Sequence, residues 1–471
     1  MQIKVSQDDP FYGPRNVTCL NLLRSIPVRG ECMGRREQLN GATSFLDAST
    51  IYGSSVQHLK SLRSFSKGQL KTQMINNVPF MAFKKLSGYA CGTPKEPLKC
   101  FSAGKSKITS SNLTGVLIPS QFKILSGDSR ANMMVEMTAI HVLWYREHNR
   151  IASALHKLNL NWTDEILFQE TRKILIAELQ HITYNEFLPL LLGDKALEEH
   201  ELKINPNQTY DGYDDTIDPS VYNVFGAAAF RFGHSLAQDE LVLYGHGDNE
   251  EDQVLLHETF FNPHLIYHNG LDLLIRGATL QRTHSVDSYI TTEVREHLFQ
   301  PVELDYGHDL SAVGIQRGRD HGLPGYTKWR EVCGLSSIDD WDDLYEVMDK
   351  MRADNLKAVY ESVDDIDFIP GALAENHVEG SLLGPTHTCV IGRQFKKTRK
   401  GDRLWFENRN QIESFTEDQL KEIYKSSVAR IICDNADSIH KVQKHPFEMP
   451  SESNPIVSCQ DISSVDLSKW S

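Results

Sequence analysis

The chain has 471 residues, 40% hydrophobic and 24% charged, enough for one large core or up to three average domains. A formal net charge of -14 argues against a nucleic-acid partner, and no apolar run is long enough to cross a bilayer. The opening MQIKVSQDDPF has no signal-peptide core, yet eight cysteines and Asn-X-Thr sequons at Asn16, Asn112, Asn161 and Asn207 favour an exported, disulfide-bonded glycoprotein. The expectation that reconciles these features is a natural amino terminus upstream of Met1.

Residues 1–40 are rich in turn formers and read as irregular structure. In the run Thr43–Ser49, TSFLDAS, two hydroxyls and the Asp47 carboxylate alternate with Phe45, whose carbonyl can turn the same way. Calcium takes six to eight oxygens, so Thr43, Phe45, Asp47 and Ser49 can furnish much of a shell if a second acid joins from elsewhere. The plainer alternative is a turn capped by Asp47. Residues 57–126 read as long loops. Between Gln57 and Asn112 ten Lys/Arg stand against one acid, Glu96. That stretch is either a solvated lysine-rich loop or a basic surface for polyanionic extracellular matrix.

From Ala131 to Leu155 the pattern becomes helical, with Ile140, Leu143, Trp144 and Ile151 at helix-compatible spacing. Arg130 stands at the entrance of this helix after the turn sequence Ser126–Ser129. It is a surface residue or, if turned into a pocket, a fixed charge for an oxygen acquiring negative charge. His141 and His148 share a face but lack a carboxylate at the next turn, which favours packing or hydrogen bonding over metal binding. Thr163 reads as the N-cap of a second helix, with Leu167, Ile174, Leu175 and Ile182 on one stripe and Pro189 as its stop. Further helices are expected at 218–236, 287–300, 341–361 and 416–431, and strands are few and short. The fold class is mainly α: one large helical domain over 1–471 with long loops, little β, no repeats and no interdomain linker.

The stretch Asn223–Leu236, NVFGAAAFRFGHSL, sets His234 among small residues. Gly226, Ala227, Ala228, Ala229 and Gly233 let a flat group approach the backbone, and His234 offers it a neutral imidazole nitrogen. A buried, hydrogen-bonded histidine is the alternative. In Gln316–Tyr326 the arginines either pair with carboxylates of a bound cofactor or hold an Arg–Asp loop together.

The stretches LNGATSFLDASTIYGS, GDSRANMMVEMTAIHVLWYREHNRIA, FRFGHSL, IQRGRDHGLPGY, IGRQFKKTRKGDRLWFEN and ARIICDN, in this order, resemble the animal haem peroxidases from about Asp9 to Trp470. The resemblance implies an oxidoreductase of the oxidative-stress response, with b-type haem and calcium. Hydrogen peroxide oxidises the haem, which in turn oxidises halides or small aromatic donors. It implies that His234 is the proximal iron ligand, Arg130 the arginine that polarises peroxide, and Arg317 a partner of a haem propionate. Thr43, Phe45 through its carbonyl, Asp47 and Ser49 become calcium ligands. Secretion is implied too, with disulfides Cys91–Cys100, Cys333–Cys389 and Cys433–Cys459. Cys19 and Cys32 are left to pair with each other or with upstream cysteines.

The chain also departs from the family. The distal histidine, the haem-bonded aspartate and the neighbouring calcium aspartate lie in a segment upstream of everything present. Met133 replaces the glutamate that esterifies to haem, while Met134 falls where one member forms a sulfonium link. Gly314 replaces the asparagine that orients the proximal histidine. These departures imply weak calcium binding and low turnover. Two readings follow: a haem peroxidase impaired in this chain, or a non-catalytic peroxidase-like extracellular interaction protein.

Overall fold

The structure, a computed structural model, describes residues 1–28, 36–75, 78–85, 122–245, 250–263, 265–301, 303–409 and 411–471. Helix accounts for 47% of it and strand for 9%, so the mainly helical class holds. One contiguous apolar core runs from Ala48 to Trp470.

Two long helices carry that core, α1 (Val135–Leu158) and α2 (Asp164–Ile182). α1 begins later than expected, because 129–132 wind into a 3-10 turn capped by the Asp128 carboxylate, which accepts from Arg130 N. Its buried stripe runs through Val135, Ala139, Val142, Ile151 and Leu155, whereas Ile140 faces solvent. Thr163 caps α2 as expected, its hydroxyl accepting from Ile166 N at 3.3 Å. Pro189 does not stop the chain. α2 widens into a π-turn over Thr183–Phe187 and resumes as α3 (Leu188–Glu199), with Pro189 in the first turn, where its missing N–H costs nothing.

The expected helix over 218–236 breaks at Ala228 into α4 (Asn223–Ala227) and a 3-10 helix, Ala229–Leu236. There follow α5 (Leu271–Leu280), α6 (Leu310–Asp320), α7 (Phe368–Ala374) and α8 (Pro385–Lys400). Of the expectation over 287–300 only Thr292–Arg295 is helical. The one over 341–361 divides into Leu344–Val347 and Lys350–Val359 at an extended Met348, and the one over 416–431 into Glu417–Ile423 and Val428–Asn435. Ser427 causes the last division, its hydroxyl capping the second piece through Arg430 N.

Strands form two-stranded antiparallel ladders, and two of these, Thr72–Ile75 with Val78–Met81 and Phe83–Lys85 with Phe122–Ile124, lie where only loops were expected. Cys333–Cys389 and Cys433–Cys459 are bonded, and Cys19 has no disulfide partner among the described residues. Cys32, the Cys91–Cys100 pair, Asn112 and part of the basic stretch lie outside the described residues. Asn16, Asn161 and Asn207 are exposed. No helix among the described residues is long and apolar enough to cross a membrane.

Candidate functional site

The 3-10 helix Ala229–Leu236 packs on α7 and α8, and α4 packs on α6. This places His234 and Arg231 near Arg317. His234 is half-buried and has no hydrogen-bond partner among the described residues. Burial, and then the charge of Arg231, push its pKa down to about 4, so at neutral pH the ring is uncharged with a free lone pair. A Cβ added at Gly233 would meet nothing within 4 Å, so the backbone beside His234 is open to a flat group. Gly314 on α6 offers no acceptor. A Cβ there would touch only Ile369 Cδ1, at 3.3 Å, beside a water-sized hollow that Ala228 and Phe368 help to line.

Arg231 was not singled out from the sequence, although an arginine three residues before His234 in an apolar stretch was the available signal. Its Nε is buried with no partner among the described residues, and burial together with the charge of Arg317 lowers its pKa. Arg317 donates from Nη1 to Leu23 O at 2.7 Å and Ser25 Oγ at 3.1 Å. The fully buried Asp320 carboxylate accepts from Arg24 Nε, with Arg36 at 3.6 Å and Arg317 at 3.7 Å. His321 bridges Ser25 Oγ and Asn223 Oδ1, each at 2.6 Å. Three arginines therefore share one carboxylate and Arg231 adds a fourth charge, a surplus suited to an anion.

Arg130 belongs to a different group. Its side chain is 59% exposed and grips Asp128, with Nε at 2.9 Å and Nη2 at 2.5 Å from Oδ2. His141 feels both charges, donates from Nδ1 to Met137 O at 2.6 Å, and leaves its buried Nε2 without a partner among the described residues. Met133 O accepts from Phe261 N, and the half-buried Met134 packs against the core. His148 is a bonded core histidine between Tyr52 OH and Gly68 O.

In the oxygen-rich loop, Thr43 Oγ1 accepts from Phe45 N and Asp47 Oδ1 accepts from Ser49 N. The acid that feels the charge of Asp47 is Asp402. The Gln180 amide donates to both Leu46 O at 3.1 Å and Asp402 Oδ2 at 3.3 Å, joining the two segments. Burial, with a contribution from Asp47, raises Asp402 to about 6. No group of three or more His, Cys, Asp or Glu is arranged to hold a metal among the described residues.

The sequence profile described as Animal haem peroxidase matches residues 1–447. The chain belongs to the animal haem peroxidases. It is 37% identical to human peroxidasin homolog across 96% of its own length and 30% of that protein. It is 36% identical to Drosophila melanogaster peroxidase across 99% of itself and 65% of that protein, so it spans less than two thirds of either relative. Among solved structures it resembles peroxidase A of Dictyostelium discoideum, with a TM-score of 0.75 at 30% identity over 93% of this chain and 80% of that one. Rice fatty acid alpha-dioxygenase shares the fold, with a TM-score of 0.68 at 15% identity over 92% of this chain and 70% of that one.

Proposed function

We propose that this animal haem peroxidase relative binds b-type haem on His234 and uses hydrogen peroxide to oxidise a halide or small aromatic donor, at a low rate for its family. The observation that carries the reading is the uncharged, unbonded ring of His234 beside the unpartnered Arg231 Nε. Haem fits these donors. His234 would hold the iron, while Arg231 and Arg317 would hold the two propionates. When bound, haem supplies the redox-active iron. The chain's own residues keep the imidazole neutral through burial and neutralise the carboxylates. Arg130, once released from Asp128, would stabilise charge on the departing peroxide oxygen.

Met134 is the side chain for any covalent link, since Met133 cannot form an ester. The low rate is supported by the lack, among the described residues, of an identified proton carrier beside Arg130, a function worth ~10²–10⁴ in rate. Gly314 adds to it by leaving the proximal ring unheld. Thr43, Phe45 through its carbonyl, Asp47 and Ser49 would bind calcium weakly. Disulfides and exposed sequons support an extracellular setting, where the basic stretch within 57–112 would meet matrix. A second reading, a non-catalytic extracellular interaction protein, draws support from the Arg130–Asp128 pair and from Gly314.

The test is haemin titration of the protein and of His234→Ala, followed by absorption spectroscopy. A Soret band in the parent that is lost in the variant is expected, and identical spectra would overturn the ligand. Haem-loaded protein that oxidises neither iodide nor a phenol would select the second reading.

A further inference from the structure

A cleft of about 720 Å³ opens between α2 and the segment 401–415, away from the His234 group. Phe45, Ile176, Leu404, Trp405, Phe406 and Phe415 give it apolar walls, and Gln180 and Asp402 supply polar points. A cleft of this size and lining suits a single aromatic ring with room for what is attached to it. The ammonium of Lys173 sits 4.4 Å over the Phe415 ring at its edge.

Aromatic rings run from this cleft back to the helix of His234. Phe230, four residues before His234, meets Phe395 of α8 at 5.8 Å. Phe395 meets Tyr184 at 5.7 Å, and Tyr184 meets Trp405 at 4.6 Å. Trp405 also touches Phe406, at 5.1 Å, on the cleft side. Electron transfer falls off steeply with distance, so a continuous file of rings with an oxidisable one at its end is a route for it.

The two oxidisable rings are not equivalent. Tyr184 and Trp405 are both buried, but Tyr184 donates its hydroxyl proton to the Phe395 carbonyl, a poor base, so losing that proton is costly. Trp405 gives its indole N–H to Glu407 Oε2 at 2.8 Å. A carboxylate can take the indole proton as the ring loses an electron. Arg399 Nη2 and Tyr424 OH also bond Glu407, at 2.6 and 3.2 Å, and hold it in place.

We propose that Trp405 is a redox relay and that the cleft before it binds a phenolic donor carried on a larger molecule, which is thereby oxidised at a distance from His234. The proposal rests on the peroxidase reading. Hydrogen peroxide is the oxidant: one molecule takes two electrons and two protons and leaves as two waters. Each electron comes from Trp405, whose indole proton passes to Glu407 Oε2. A phenol in the cleft then returns an electron to the ring as the proton returns from Glu407, and the phenol's own proton leaves to water in the open cleft. Two phenols become two phenoxyl radicals for each peroxide consumed.

The experiment uses haem-loaded protein with hydrogen peroxide and two donors. Iodide is small enough to reach a buried site, while tyramine coupled to dextran can present its phenol only at a surface. Trp405→Phe should lower oxidation of the conjugate at least tenfold, read as dityrosine fluorescence, with iodide oxidation within twofold of the parent. A nitroso spin trap should give an adduct on Trp405 by peptide mass spectrometry. Leu404→Arg, which narrows the mouth of the cleft, should keep that adduct and lose the conjugate. Conjugate oxidation that survives Trp405→Phe, or an adduct found only elsewhere, overturns the relay. A parent that oxidises iodide but not the conjugate overturns the relay alone. A parent that oxidises neither overturns the peroxidase reading, and the relay with it.

Discussion

Glu375 and Asp128 each hold an arginine, in opposite surroundings. Glu375 follows α7, which packs behind the His234 helix, and its fully buried carboxylate accepts from Arg330 at 2.6 Å and Tyr326 OH at 2.8 Å. Thr386 adds its hydroxyl at 2.7 Å and its backbone N–H at 2.8 Å. Asp128 holds Arg130 in the open. Separating the first pair strands a charge in the interior, whereas the second can exchange partners with water at little cost. The wall behind His234 is therefore fixed, and Arg130 is adjustable.

The hardest blow to this contrast is Arg330→Ala, which leaves Glu375 buried and unpaired. It should cost about 3–5 kcal/mol, read by thermal or urea unfolding. A loss under about 1 kcal/mol would show that the wall is not fixed. Next comes pH. An ordinary histidine protonates near about 6.5, but His234 stays neutral until about 4. Protonation removes the lone pair, so haemin affinity should be flat as pH falls from ~8 to ~5 and drop through about 4. A midpoint at the ordinary value would mean that the ring is solvated.

A smaller gain is expected from Gly314→Asn, which gives the His234 ring a partner if Ile369 yields a few tenths of an ångström. Haemin affinity should rise about 10- to 100-fold in spectroscopic titration. An unchanged affinity would place Gly314 away from the ring. Asp128→Asn should be the mildest in stability, within about 1 kcal/mol, yet it frees Arg130. The reaction with hydrogen peroxide, followed by stopped-flow absorption, should quicken. An unaltered rate would remove Arg130 from the peroxide side.

What the sequence disclosed follows from where its signals are local. The apolar stripes of α1 and α2 repeat at the helical period over several turns, so both helices were legible, as was the Thr163 cap. α6 was not, because Gly314, Gly318, Arg317 and Arg319 imitate a turn while the buried partners that keep it helical lie elsewhere in the chain. His234 stood out against its small neighbours. Arg231, in the same stretch, gains its meaning only from Arg317, which lies on another helix. Asp402 is remote in sequence from the 43–49 loop and is joined to it through Gln180, which bonds Leu46 O. The direction taken by Arg130 is a rotamer choice made by a carboxylate two residues away, which spacing cannot reveal.

The disulfide Cys333–Cys389 repeats the Glu375 contact in covalent form. Cys333 lies just beyond Arg330, and Cys389 lies one turn beyond Thr386 on α8. With 56 residues of separation, closing this loop removes about 4 kcal/mol worth of freedom from the unfolded chain. In a reducing compartment the two thiols stay apart, and the tie behind His234 depends on the bonds of Glu375 to Arg330, Tyr326 and Thr386. The redox state of the compartment in which the chain matures thus sets how firmly the wall behind His234 is tied.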